Sequence, residues 1–200
     1  MSYTVIDTET TGLSPANHEI IDFAAITFDF DESGDIKIIK ETSFKIKPKY
    51  IEKAQKQALE VNGYTEEAWK DAKYFEEHAE TIKKILKESE VLLGQNLIFD
   101  LRFIESSFKN HKMRMPKLPK YVDTKQMGQQ MVKEGKLASA SMDRMCEQLG
   151  IKFSGKAHTA LTDCQRTISV WTRLLKSVEA EYFTYNKPFD SYKKKTTPKN

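Results

Sequence analysis

The sequence predicts an α/β chain: a mixed five-stranded sheet with helices packed on both sides. Three observations carry this. Three hairpin-like apolar runs come first, at Tyr3–Asp7, Ile20–Asp29 and Ile36–Lys47. Two brief apolar runs, Val91–Leu93 and Tyr121–Asp123, then each feed a helical pattern. The helical stretches carry apolar residues three or four positions apart, the spacing of one helix face. Hairpins followed by strand–helix alternation give a mixed sheet covered by helices. Two hundred residues at 39% hydrophobic content are enough for one well-buried core and argue against two full domains. No internal repeat is visible.

Along the chain, Val5-Ile6-Asp7-Thr8-Glu9 reads as a buried strand that changes character at its end. Asp31-Glu32-Ser33-Gly34-Asp35 has the chemistry of a hairpin turn between the second and third strands. Glu52–Glu60 and Thr65–Lys70 predict short helices. Phe75–Glu88 predicts a longer one, with Phe75, Ala79, Ile82 and Leu86 on one face. After Val91–Leu93 a helix opens, with Leu101, Ile104 and Phe108 at helical spacing. Asp123-Thr124 reads as a helix cap rather than as a further catalytic acid. Met142–Leu149 is a helix stopped by Gly150. The final helix carries Leu161, Cys164, Ile168, Trp171, Leu175 and Val178 as its core stripe, with Asp163 roughly 110° from the stripe's centre. Residues 1–180 form the expected domain. Residues 181–200 form a short aromatic and basic C-terminal tail whose end is expected to be disordered.

No stretch reaches the length of a membrane span, and Met1-Ser2-Tyr3-Thr4 lacks a signal-peptide pattern, so the expectation is a cytoplasmic chain with no membrane partner. Cys146 and Cys164 fall on apolar helix positions, which predicts buried reduced thiols. The formal charge is +3, but it is unevenly spread. Residues 1–36 contain eight Asp or Glu and no Lys or Arg. Residues 109–133 contain seven Lys or Arg (Lys109, Lys112, Arg114, Lys117, Lys120, Lys125, Lys133) against the single acid Asp123. An acidic cation-holding end and a basic segment suit an enzyme acting on a polyanion. A solvated lysine-rich loop is the competing reading of that segment.

The chemistry is concentrated at three places. Asp7 and Glu9 project from the same side of a strand, about 7 Å apart. Carboxylates so placed resist joint ionisation unless a cation joins them, and hard divalent ions select such oxygens. Two solvated acids at a surface strand end are the other reading of this segment alone. Gly94-Gln95-Asn96-Leu97-Ile98-Phe99-Asp100 places a third acid at the opening of a helix, and His158-Thr159-Ala160-Leu161-Thr162-Asp163 adds a fourth, five residues after a histidine. With these three motifs in order, the chain resembles the DEDDh family of 3′→5′ exonucleases, which includes epsilon proofreading subunits, ribonuclease T and oligoribonuclease. The similarity extends through Val61–Thr65, Val122-Asp123-Thr124 and Met142–Gly150, so it covers about residues 3–178.

The resemblance implies a ribonuclease H-like fold and two divalent cations, Mg²⁺ or Mn²⁺. Two such ions can clamp the attacking and leaving oxygens of a phosphodiester. It makes Asp7 the bridging ligand, gives Glu9 and Asp163 to one ion and Asp100 to the other, and makes His158 the general base. An imidazole, titrating ordinarily near pH 6.5, suits that role. Thr10, Gly12, Leu13, Asn96 and Phe99 are implied to line the pocket of the 3′-terminal nucleotide, Leu13 and Phe99 being open to core packing instead. Two positions depart from the family pattern: Gln95 stands where a histidine is usual, and Asn62 opens the segment that often reads His-Gly-Ile-Thr. Both bear on how the terminal nucleotide is gripped, which adds Asn62 to the substrate-binding set. The implied partners are 3′ ends of single-stranded DNA or RNA, and a DNA polymerase. The Asp-Thr-Glu-Thr-Thr-Gly form resembles proofreading subunits and tilts the choice towards DNA. An exoribonuclease, an inactive nucleic-acid-binding or polymerase-tethering module and a different ribonuclease H-like enzyme are the alternatives. Glu19, Asp22, Glu105 and Asp143 read as surface charges, His18 and His111 as polar-site histidines, and His78 as a solvent-facing one.

Overall fold

The computed structural model of the chain describes residues 2–153 and 158–177. The expected tail at 181–200, Val178 of the core stripe and the 154–157 stretch before His158 lie outside the described residues. Five strands, β1 (Tyr3–Thr10), β2 (Ile20–Phe30), β3 (Ile36–Lys45), β4 (Val91–Gly94) and β5 (Lys120–Asp123), form one sheet in the order β3-β2-β1-β4-β5. The first three pair antiparallel, as the hairpin chemistry of residues 31–35 requires, whereas β1, β4 and β5 run parallel. The helices are α1 (Lys56–Asn62), α2 (Phe75–Glu88), α3 (Leu97–Asn110), α4 (Thr124–Lys133), α5 (Met142–Gln148) and α6 (Ala160–Ser177).

Strand alternation sorts the core into two faces. Ile6, Ile20, Phe23 and Ala25 pack with the buried stripe of α2 and with Leu101, Ile104 and Phe108 of α3. Val5, Ala24, Ile26 and Phe28 pack with Cys164, Ile168 and Trp171 of α6 on the other face. Helices thus cover both sides, as the sequence predicts. A smaller cluster joins Met131 of α4, Met145 and Cys146 of α5, and Val170 and Leu174 of α6. That second apolar face of α6 exists because α4 and α5 cover the side of α6 turned away from the sheet. Both cysteines are buried and free.

Several expectations change. β1 runs on to Thr10 because Glu9 and Thr10 still pair with Asp22 and Ile20, across a bulge between them. The predicted helix at 52–60 divides into a 3₁₀ turn, Ile51–Lys53, and α1. Thr65–Lys70 shrinks to a single 3₁₀ turn, Glu67–Trp69, set by burial of Trp69, whose indole N–H donates to the Ile21 carbonyl at 2.8 Å. His78 does not face solvent freely: its ring stacks on Phe44 at 3.9 Å, and burial lowers its pKa. The basic segment, residues 109–133, divides into two parts. Its first half leaves the far end of α3, about 15 Å along the helix from Asp100. That half ends at Lys120, which is in register with Val91 and so with Tyr3, at the opposite end of the strands from Asp7 and Glu9, whereas Lys125 and Lys133 lie on α4, beyond the other end of β5.

Trp171 fastens α6 to the sheet. It is buried, with its ring 4.7 Å from that of Tyr3, 5.8 Å from Phe28 and 5.9 Å from Phe30. Trp171→Ala should cost about 3–5 kcal/mol, the range for deleting a large core aromatic. Urea unfolding followed by circular dichroism checks this; a loss below about 1 kcal/mol would show that α6 is held by other contacts.

Candidate active site

The C-terminal end of β1 is where the two helical layers meet the sheet edge-on. Asp7 and Glu9, on the α6 side of β1, stand with Asp163 from the first turn of α6, each offering an oxygen within 4.8 Å of the others. Asp100 arrives from the opposite layer, in the first turn of α3, and is buried. Thr8, between the two β1 acids, points to that side. Its backbone N–H and its hydroxyl both donate to Asp100 Oδ1, at 2.9 and 2.7 Å. The four acids named from sequence therefore converge from three elements, with Asp100 in its own hydrogen-bonded seat beside the other three.

Their electrostatics follow from that convergence. Burial pushes the Asp7 carboxyl well above its usual range, and Asp100, Glu9 and Asp163 push it further. Glu9 is raised to about 8, by burial and then by Asp163, Asp22 and Asp100. Asp100 is raised to about 7 by burial, although the two Thr8 hydrogen bonds oppose the shift. Asp163 is raised by burial but held back by Arg166, whose guanidinium meets it at 3.0 Å. A donor set made only of carboxylate oxygens, each reluctant to ionise in the others' company, is what a hard divalent cation fits.

His158 is exposed, immediately before α6, with a backbone φ of 65°. Its charge is felt by both Asp163 and Asp143, so it stands at the rim of the cluster. The residues expected around a terminal nucleotide divide into two groups. Leu13 is 75% exposed, which excludes core packing for it. Thr10 is buried, its hydroxyl donating to the Gly12 carbonyl at 2.7 Å. Gly12 lies so close to His18 that a side chain there would meet the imidazole at 2.7 Å. Asn62 is buried and its amide nitrogen donates to the Thr10 carbonyl at 2.9 Å, so it braces β1. Phe99 is half-buried against the α2–α3 core, with its ring 4.8 Å from Phe103. Asn96 adopts a left-handed backbone (φ 64°) at the head of α3, and its N–H donates to Asp123. Asp123 also accepts from the Lys125 N–H, the helix-capping role read from sequence.

Three acids set aside as surface charges are tied into this region. Asp22 sits opposite Glu9 in the β1–β2 register, is raised by burial, and accepts from the Ala160 N–H at the start of α6. Asp143 of α5 pairs with Arg166. Glu19 accepts the backbone N–H groups of Lys49 and Tyr50 at 3.0 and 2.8 Å. The sequence gives Thr8 no role of its own and offers Arg166 only as one of several cations that could steer a strand, not as a partner of Asp163. The i, i+3 spacing of Asp163 and Arg166 was the one available signal; the others are fixed by tertiary pairing.

Among the described residues no helix is long and apolar enough to cross a membrane. The family model for exonucleases of the ribonuclease T type matches residues 4–171. The chain is 25% identical to ribonuclease T of Vibrio campbellii over 191 residues, covering 88% of this chain and 86% of that protein. It is 27% identical over 189 residues to the DNA polymerase III subunit epsilon of Rickettsia prowazekii, covering 92% and 78%. The fold is shared with the nuclease domain of 3′hExo, a DEDDh family member solved with bound rAMP, at a TM-score of 0.75 and 18% identity, over 94% of this chain and 96% of that one. Fold, motif order and a family match over most of the sequence agree, and the chain belongs to the exonuclease family of the ribonuclease T type.

Proposed function

We propose that the chain removes nucleotides stepwise from the 3′ end of a single strand, DNA in preference to RNA, and releases 5′-mononucleotides. The observation that carries this is the meeting of Asp7, Glu9 and Asp163 within 4.8 Å, with Asp100 seated alongside. Asp7, Glu9 and Asp163 would hold one divalent cation, and Asp7 with Asp100 a second. When bound, Mg²⁺ or Mn²⁺ supplies positive charge to the phosphoryl oxygens and acidifies water. The protein's own part is to hold the carboxylates in place and to move a proton. His158, exposed at the rim, accepts the proton of the attacking water on its imidazole nitrogen. Leu13 offers an exposed apolar face for the terminal base. Thr10 and Gly12 form the floor beneath it, and Asn62, Asn96 and Phe99 its walls.

The resemblance of the first motif to proofreading subunits supports DNA and a DNA polymerase as partner. The similarity to ribonuclease T, and the rAMP in the 3′hExo complex, support RNA. The cytoplasm is the proposed compartment, in keeping with two free buried thiols. The deciding experiment uses end-labelled single-stranded DNA and RNA of equal sequence, with Mg²⁺, Mn²⁺ or chelator. Faster release of 5′-mononucleotides from DNA supports the proposal. Faster release from RNA makes the chain an exoribonuclease, and internal cuts or binding without cleavage overturn the reading.

Asp7→Ala and Asp163→Ala should each abolish cleavage while the protein stays folded, since removing one acid relieves a repulsive cluster. A near-normal rate in Mg²⁺ would sink the ligand assignment.

His158→Ala should lower turnover by about two to four decades, the scale of a lost general base, with oligonucleotide affinity little changed. A loss confined to affinity would instead give His158 a binding role.

Acidity of the cluster gives a pH test. Glu9 at about 8 and Asp100 at about 7 hold protons in the folded protein that they release when it unfolds. Between about pH 5 and 8 the native state thus binds more protons than the unfolded one, and stability in chelator falls as pH rises. Thermal melts at pH 6 and 8 should show that fall, and Mn²⁺ should raise the melting temperature more at pH 8 than at pH 6. A chelated protein that gains stability towards pH 8 would contradict the repulsive cluster.

A further inference from the structure

A groove of about 830 Å³ opens beside Asn96, next to the head of α3, and runs along α4. One wall is α4 itself, presenting Lys125, Gln129 and Lys133. These positions are i, i+4 and i+8, so they share one helix face in steps of about 6 Å. The facing wall is the 139–142 segment, with the hydroxyls of Ser139 and Ser141. No Asp or Glu is among the groove's lining residues, although the chain has 29 of them. Neither lysine forms an ion pair with a described residue, whereas Lys49, Lys56, Lys70, Lys83, Lys84 and Lys136 all do.

Gln95 explains why the two walls stay together. Its carbonyl oxygen accepts from the Thr124 hydroxyl at 2.6 Å, and its amide nitrogen donates to the Ala140 carbonyl at 3.0 Å. One side chain therefore joins the end of β4, the start of α4 and the opposite wall. A residue that departs from the family pattern in sequence is, in the structure, the stitch at the groove's head.

We propose that this groove is the track for the strand just upstream of the 3′ end, with Lys125 and Lys133 each holding a phosphate. Gln129, Ser139 and Ser141 bond between them, and Gln95 is a positioning residue that keeps the walls in place. The inference rests on the exonuclease reading for what enters the groove. The chemistry favours a single strand: regularly stepped donors and cations follow a repeating phosphate backbone, and no acid lines the groove. The groove draws its two cations, Lys125 and Lys133, from the second half of the basic segment, while the fold carries Lys112–Lys120 to the other end of the sheet.

The test measures binding of a labelled single-stranded octanucleotide in chelator by fluorescence anisotropy between 50 and 200 mM salt. In the Lys125→Gln, Lys133→Gln double variant the log–log salt slope should fall by about 1.4, from two contacts at about 0.7 each. The parent then loses about sevenfold more affinity than the variant across that range. A variant with Lys112, Arg114, Lys117 and Lys120 all changed to Gln should keep the parent slope. In Mg²⁺, the ratio of kcat/KM for the octanucleotide over a dinucleotide should fall several-fold in the double variant, and also in Gln95→Ala. If the parent cleaves and the double variant, folded by circular dichroism, keeps both slope and ratio, the groove is overturned while the exonuclease reading stands. If the parent binds with a slope that the double variant flattens but cleaves nothing, the groove stands and the exonuclease reading falls.

Discussion

Repulsion among carboxylates at the end of β1 is the constraint around which the fold is arranged. At an effective dielectric of 20, two unit charges 4.8 Å apart repel by about 3.5 kcal/mol, comparable to the loss of a large core side chain. Asp7, Glu9 and Asp163 make three such pairs when fully ionised. The fold resists this by fixing the acids on three separate elements, Asp7 and Glu9 on β1, Asp100 on α3 and Asp163 on α6. Asp100 takes two hydrogen bonds from Thr8, Asp22 takes the first N–H of α6, and Asp163 takes the Arg166 guanidinium. Burial first, and then the remaining repulsion, raises the pKa of Asp7 and Glu9, while burial is what raises Asp100.

Such a site demands a particular scaffold. β1 is the middle strand of the sheet, with antiparallel partners on one side and parallel ones on the other. Its two faces bury Ile6 against α2 and α3 and Val5 against α6. Alternation then aims Asp7 and Glu9 at the helix that brings Asp163, and Thr8 at the helix that brings Asp100. Asp100 and Asp163 both sit in the first turn of a long helix, where the partial positive charge of the N-terminus opposes their mutual repulsion. The bulge between Glu9 and Thr10 falls where the strand must stop pairing regularly and turn towards Gly12.

What could be read from sequence was whatever depended on local pattern. The α2 stripe of Phe75, Ala79, Ile82 and Leu86 is buried as its spacing predicts, and the strand ends and helix starts bearing acids lie where apolar runs meet polar residues. Short elements were less legible, because one buried side chain decides them: Trp69 reduces a predicted helix to a single turn. His78 was misplaced because its stacking partner, Phe44, is 34 residues away on β3. Asp22 and Asp143 looked like ordinary acids because their importance lies in strand register and helix packing. The first half of the basic segment misled for a related reason. Charge counts along the chain ignore that α3 carries the backbone away from the site before the lysines begin.

Arg166 shows how far the site depends on those unreadable pairings. Its guanidinium is buried between α5 and α6, with one nitrogen on Asp163 and the other on Asp143. A planar fork can meet two carboxylates on different elements at once, which a lysine ammonium on a flexible stem does less well. The contact occupies Asp163 Oδ1 and so fixes the plane of that carboxylate relative to Asp7 and Glu9. It also keeps a positive charge beside the cluster without placing it between the acids, where it would compete with a divalent ion. The same interaction ties α5 to α6, and Gln95 ties the segment before α5 to β4 and α4. α5 contributes no acid to the cluster, yet one polar tie reaches it and the other the segment just before it, so the orientation of Asp163 and the shape of the neighbouring groove rest on one short stretch of chain.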